Sequence, residues 1–258
     1  MDFRIPTRML NTDEAARRLH VSRRRVQELV KSGELKAIAT DGRSMLITAD
    51  SVLRASAVQG HSGRPLSSST AMAALFLISG KPVTWLNPQQ RYRIRRLLTN
   101  VDPSDLLYRV HRRAVMREFW CPEAYLDDVS GRIRLSGCYA VVAPVFQLQP
   151  SNIVEGYVDE ALLNVLVSRF HLKEDSAPVR LRLHVLARFP DMPNPSMEKG
   201  DQADDVETVL NPMPLAVCAA DLAESTDPRE RSAGLAMLGR LLRGDDAEIP
   251  TPMNSDTD

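Results

Sequence analysis

"HVSRRRVQELVKSGELKA", residues 20–37, is the stretch on which the fold turns. Ser22 is a good N-cap, because its hydroxyl accepts from a free amide of the first helical turn. Val21 and Val26 stand at the spacing of a hydrophobic staple across that cap. Gly33 fits the left-handed position that closes a helix at no steric cost. Together they predict a helix from about Arg23 to Ser32. At about 100° per residue, Val26, Leu29 and Val30 define a core face. Opposite lie Arg24, Glu28 and Lys31, with Gln27 on one shoulder. Arg25 and Ser32 lie toward the other shoulder, and Arg23 sits nearest the core edge. The three arginines are therefore not equivalent.

On the N-terminal side, "LNTDEAARRL" offers Asn11 or Thr12 as N-cap, with Glu14 as the reciprocal capping-box partner if Asn11 is the cap. Ala15, Ala16 and Leu19 form its apolar side. Two short helices joined by about three residues predict a helix-turn-helix. On the C-terminal side, Leu35 to Thr40 and Arg43 to Ile47 flank Asp41-Gly42, a strong hairpin signal. Thr48 is then expected to cap a third helix containing Val52 and Leu53. Residues 1–58 thus read as a winged helix-turn-helix.

A helix docked in the major groove must bury one face and present the other, chiefly from its first turns, to base edges and phosphates. Arg24 is the candidate for bidentate contact to guanine, and Gln27 for adenine. Arg23 and Arg25 diverge around the cylinder toward phosphates. Ser22 and the free amides beside it form a further phosphate site. Lys31 lies on the same exposed face, the wing residue Arg43 is a candidate for minor-groove or backbone contact, and Lys36 is a further phosphate contact. The alternative is an ordinary solvated helix whose arginines only satisfy Glu28 or Glu34.

The pieces "TDEAARRL", "VSRRRV", "SGELKA" and a "GR" wing ending "ITADSV" resemble the excisionase-like helix-turn-helix family, which is related to mercury-resistance-type regulators. The resemblance spans about residues 8–56. It implies that the second helix reads the major groove and that the wing touches the minor groove or backbone. One departure is "TDGRSMLI", where members usually carry an aromatic after the wing arginine.

Beyond this module, "QGHSGRPLSSST" (59–70) reads as a linker and residues 71–190 as an α+β domain. Within it, "TAMAALFLISG" predicts a buried helix, "PQQRYRIRRLL" a helix opened by Pro88, and "PSDLLYRVHRRAVMREFW" another helical stretch. "GRIRLSGCYAVVAPVFQL" reads as strand-rich. Residues 155–170 predict a helix with Val158, Leu162, Val165 and Leu166 on one face. "PVRLRLHVLARF" predicts a half-buried strand with Arg180, Arg182 and His184 on its polar side. The acidic, proline-rich 191–213 reads as a loop or linker, 214–244 as a helical hairpin, and 245–258 as a disordered tail. Arg91, Arg95 and Arg96, and likewise Arg109, Arg112 and Arg113, are candidates for a secondary DNA-binding patch. Their alternative is a solvated charged face.

The net charge of zero hides an asymmetry: residues 1–120 hold 21 basic and 10 acidic residues, and residues 121–258 hold 12 and 23. A basic N-terminal half suits a nucleic-acid partner. No apolar run reaches membrane-spanning length and the N-terminus lacks a secretory pattern, so the expected location is the cytoplasm, with no membrane partner. Three dispersed cysteines form no zinc or redox motif, and no metal or cofactor is expected. Nor is there a phosphate-cradling glycine loop, a GxSxG or an HExxH, and no catalytic residue is assigned.

Segments "IRLSGCYAV", "EGYVDEALLNVLVSRFHL", "VRLRLHVL" and "LAVCAADLAESTDPRERSAGLAMLGRLL" are similar to the C-terminal part of abortive-infection-type antitoxins. That resemblance implies an autorepressing antitoxin partnered with a nucleotidyltransferase-type toxin. The expectation is thus an α+β protein, a sequence-specific transcriptional regulator of double-stranded DNA acting as a repressor, with a homo-oligomer as an open state. The alternatives are an excisionase-type recombination directionality factor and an enzyme with a DNA-targeting head.

Overall fold

The computed structural model describes residues 9–39, 45–57, 64–139, 142–187 and 212–245. The chain divides into two compact units, Met1–Ser62 with Glu224–Pro228, and Gly63–Ala223 with Arg229–Asp258. The 59–63 part of the expected linker, the wing tip 40–44, most of the acidic 191–213 segment and most of the C-terminal tail lie outside the described residues.

In the first unit, a short strand β1 (Met9–Asn11) leads into α1 (Thr12–Arg18) and α2 (Arg23–Lys31). Strands β2 (Ala37–Ala39) and β3 (Met45–Thr48) and helix α3 (Ala49–Ala57) follow. The three strands form an antiparallel sheet in the order β1-β3-β2. Asn11 is the cap of α1: it accepts from the Glu14 amide at 2.8 Å, and Glu14 accepts from the Asn11 amide at 2.9 Å. The core is Leu10, Ala15, Ala16, Leu19, Val26, Leu29, Leu35, Ile47, Ala49 and Val52, and half-buried Ala37 of β2 packs against it. Thr48 precedes α3 as expected, yet its buried hydroxyl has no hydrogen-bond partner among the described residues. Ser51 instead donates to the Thr48 carbonyl at 2.8 Å.

The second unit is also α+β. Helices α4 (Ser68–Ile78), α5 (Pro88–Leu98) and α6 (Pro103–Val110) precede strand β4 (Val115–Trp120) and the short helix α7 (Leu126–Ser130). Strand β5 (Arg134–Leu135), strand β6 (Val154–Asp159), helix α8 (Glu160–Phe170), and strands β7 (Lys173–Glu174) and β8 (Leu181–Leu186) come next. Helices α9 (Leu215–Ala223) and α10 (Pro228–Arg243) close the unit. The sheet order is β5-β6-β8-β4-β7, with β6 and β8 parallel and the other pairs antiparallel.

Three expectations are corrected here. The helix expected through Trp120 stops at Val110; the β-branched and aromatic run Val115–Trp120 pairs with β8 instead, since cross-strand packing outweighs weak helical propensity there. The helix expected from residue 155 begins at Glu160, capped by Asp159, and residues 154–159 are strand β6, paired between β5 and β8. Its buried residues are Leu162, Leu163, Leu166 and Phe170, while Val165 is 55% exposed. Among the described residues, the strand-rich reading of 131–148 shrinks to the two of β5, followed by a short 3-10 turn at Ala143–Phe146. Helices α4 and α9 carry no polar face because the unit encloses them: Ala71–Phe76 of α4 and the whole of α9 are buried, with Asp221 the one charged residue of α9. Among the described residues no helix is long and apolar enough to cross a membrane.

Candidate nucleic-acid interface

Helix α2 is held by the groups its sequence announces. The Ser22 hydroxyl accepts from the Arg25 amide at 3.2 Å, and Gly33 takes φ +77° past the C-terminal end. Val26 and Leu29 are buried and Val30 packs beside them, which fixes the helix rotation. Arg24, Arg25, Gln27, Glu28 and Lys31 therefore point to solvent. The turn between α1 and α2 passes through His20 at φ +46°, with the Val21 amide donating to the Ala16 carbonyl at 3.0 Å.

The arginines differ: Arg24 is the most exposed, but Arg25 and not Arg23 is the most covered. The Arg24 side chain is 89% exposed, and its Nε lies 3.4 Å from Glu28. Arg25 reaches the other Glu28 oxygen at 3.3 Å. These exposed pairs are weak, about 0.3–0.5 kcal/mol each, and phosphates or base edges compete with them readily. Arg23 leans back to α1, donating from Nη2 to Asp13 at 2.6 Å. It ties the two helices of the motif together beside the exposed face of α2. Sequence periodicity alone misses this pair, because Asp13 is ten residues away. Lys36 is half-buried, and Arg43 lies outside the described residues.

In the second unit, Arg95, Arg96 and Arg112 are exposed and Arg109 is half-buried. Arg91 is half-buried and donates to the Val83 carbonyl at 3.1 Å. Arg113 is corrected: it is 1% exposed and ion-paired to Asp221, so it cannot reach DNA. It follows the end of α6, where the chain turns inward to begin β4. Arg93, which sequence reading overlooked, is exposed beside Arg96.

The polar side of β8 is also corrected, because both faces of that strand are covered. Register explains what it holds. Glu155 stands opposite Arg182 and Tyr157 opposite His184 across the parallel pair, while Glu118 faces Arg182 from β4. Arg182 bonds Glu155 at 3.1 Å and His184 bonds the other Glu155 oxygen at 2.8 Å. The Tyr157 and His184 rings stack at 4.7 Å. From α9, Asp221 accepts from Arg113 at 2.5 Å and from the Tyr157 hydroxyl at 2.8 Å, and also from Ser136.

Burial works against the charge on Glu155, but Arg182 and His184 outweigh it and hold the carboxyl at about 2. Burial likewise disfavours protonated His184, yet Asp221 and Glu155 raise its pKa above the usual value. Glu155, His184 and Asp221 bring ligand atoms within 4.8 Å of one another, a spacing that suits a metal ion. Their oxygens are already engaged by Arg113 and Arg182, however, and two buried guanidinium charges oppose a cation. The cluster is a charge-matched lock between α9 and the sheet. The thiols are equally unsuited to reaction: burial pushes Cys138 up to about 11 and Cys218 up to about 12.

No curated protein and no solved structure matches the chain. A helix-turn-helix domain family matches residues 9–55, the span that runs from β1 into α3. Those residues form a helix-turn-helix domain of the kind that binds DNA.

Proposed function

We propose that the protein is a transcriptional regulator that recognises a specific duplex sequence through α2. The observation that carries this reading is the seating of that helix. Val26 and Leu29 bury one face, and the opposite face offers Arg24, Gln27 and Lys31 with no apolar cover. Arg24 serves as the base reader and Arg25 and the capped helix start as phosphate contacts. Arg23 both anchors to Asp13 and adds positive potential at the groove edge. Footprinting on the gene's own upstream region is the direct test. Arg24→Ala should reduce discrimination between the protected sequence and random duplex by about 1–3 kcal/mol, while Arg25→Ala weakens both and lowers the salt slope by about one unit. Equal loss of specificity for both would overturn the face assignment.

The finer role we propose is that of an autorepressing antitoxin acting on a nucleotidyltransferase-type toxin. Its support is the resemblance of the C-terminal segments, together with a second unit far larger than a recombination directionality factor needs. We read that unit as non-catalytic, since the titratable groups of its buried cluster, Glu155, Tyr157, His184 and Asp221, are engaged by one another and by Arg113 and Arg182. Co-expression with a neighbouring nucleotidyltransferase should restore growth; a neighbouring integrase and unaltered toxicity would overturn the antitoxin role.

A further inference from the structure

We infer that the second unit carries its own grip on duplex DNA, a phosphate-binding face built on α5 with Arg93, Arg95, Arg96 and Tyr92. This rests on the DNA-binding reading of the first unit, which makes duplex DNA the polyanion this chain meets. Helix α5 is opened by a capping box, Asn87 accepting from the Gln90 amide at 2.8 Å and Gln90 accepting from the Asn87 amide at 3.1 Å. Ile94 is buried, with Leu97 and Leu98 half-buried beside it, so rotation about the axis is fixed. At about 100° per residue the opposite side centres on Tyr92 and Arg96, with Arg93 and Arg95 flanking them. Tyr92 is 66% exposed, although a tyrosine placed only for packing would be covered. The helix contains four arginines and no acid.

Among the described residues, no carboxylate pairs with Arg93, Arg95 or Arg96, which sets them apart from Arg24 and Arg25 on α2. Beside them an open groove of about 410 Å³ is lined by Arg93, Arg96, Asn100 and Arg109, with Asp105 as its acid. Arg109 Nε is buried there with no hydrogen-bond partner among the described residues. A guanidinium row flanked by an amide and a phenol hydroxyl supplies donors to phosphate oxygens, contacts that carry no sequence information. The face therefore adds affinity and salt dependence and leaves sequence choice to α2.

The test uses the full chain and a random-sequence 30-bp duplex, with affinity followed by fluorescence anisotropy as KCl is raised. The triple variant Arg93→Ala, Arg95→Ala, Arg96→Ala should lower the slope of log K against log salt by about 2–3 units, at about 0.9 unit per phosphate. The same three positions changed to lysine should restore most of it, which a folding defect would not allow. An unchanged slope in the triple alanine variant, with Arg25→Ala still lowering it, overturns this grip and leaves the first reading intact. No change from either variant overturns both. Lost binding to a single-stranded RNA of equal length, with duplex binding retained, also overturns the proposal by assigning the face to another polyanion.

Discussion

Replacing Asp221 by asparagine removes the charge on which the second unit's buried cluster closes. The Asp221 side chain is fully buried and that of Arg113 is 2% exposed. One carboxylate accepts two contacts from Arg113, at 2.5 and 3.1 Å, one from Tyr157 at 2.8 Å, and another from Ser136. Asparagine can keep one or two of these as an acceptor, yet no longer offers the guanidinium a negative charge. Removing one member of such a pair costs about 3–5 kcal/mol, a large share of the ~5–15 kcal/mol by which domains are stable. The measurement is convenient because both tryptophans, Trp85 and Trp120, lie in the second unit, so fluorescence in a urea titration reports that unit. The companion variant Arg113→Met with Asp221→Leu removes both charges together. It should cost less than the sum of Arg113→Met and Asp221→Leu alone by at least about 2 kcal/mol, since no charge is stranded. A loss below about 1 kcal/mol for Asp221→Asn, or additive single variants, would refute the lock.

Other expectations follow from the same cluster and its packing. The folded-state pKa of His184 is raised, so its contribution is fully present below 6.5, the unfolded value, and is lost as pH rises through the folded value. Glu155 is lowered to about 2 from 4.5, so its contribution is present above 4.5 and lost as pH falls toward 2. Urea midpoints should therefore peak between these limits, and His184→Gln should flatten the decline on the alkaline side. Gly234 of α10 should not tolerate a methyl: an added Cβ would meet the Ala219 carbonyl oxygen at 2.4 Å and the Ala223 nitrogen at 2.5 Å, both backbone atoms of α9. Gly234→Ala should destabilise the second unit by about 1–3 kcal/mol in the same titration.

The helix-turn-helix was legible because its signals are local. Asn11 with Glu14, Ser22 with the Arg25 amide, and Gly33 each act within four residues, and periodicity assigns Val26 and Leu29 inward. The second unit was harder to read because its decisive contacts lie far apart in sequence. "RLRLH" alternates as a strand facing water would, yet Arg182 and His184 are covered because β6 and α9 bring Glu155 and Asp221 to them. Arg113 looks like Arg112 in sequence; its partner is 108 residues away. Val115–Trp120 could extend α6 by its own preferences and becomes a strand only beside β8.

The sequence by itself thus determined the capped, stapled helix α2 and the exposure of Arg24, since cap, staple and wheel depend on neighbours a few residues off. Only the tertiary structure decided that Arg23 belongs to Asp13, that Arg113 belongs to Asp221, and that Arg93 and Arg96 meet no carboxylate among the described residues and line an open groove instead. The physical reason is the same for all three. A guanidinium's role is set by which carboxylate, if any, the fold brings within reach, and no local pattern encodes that distance.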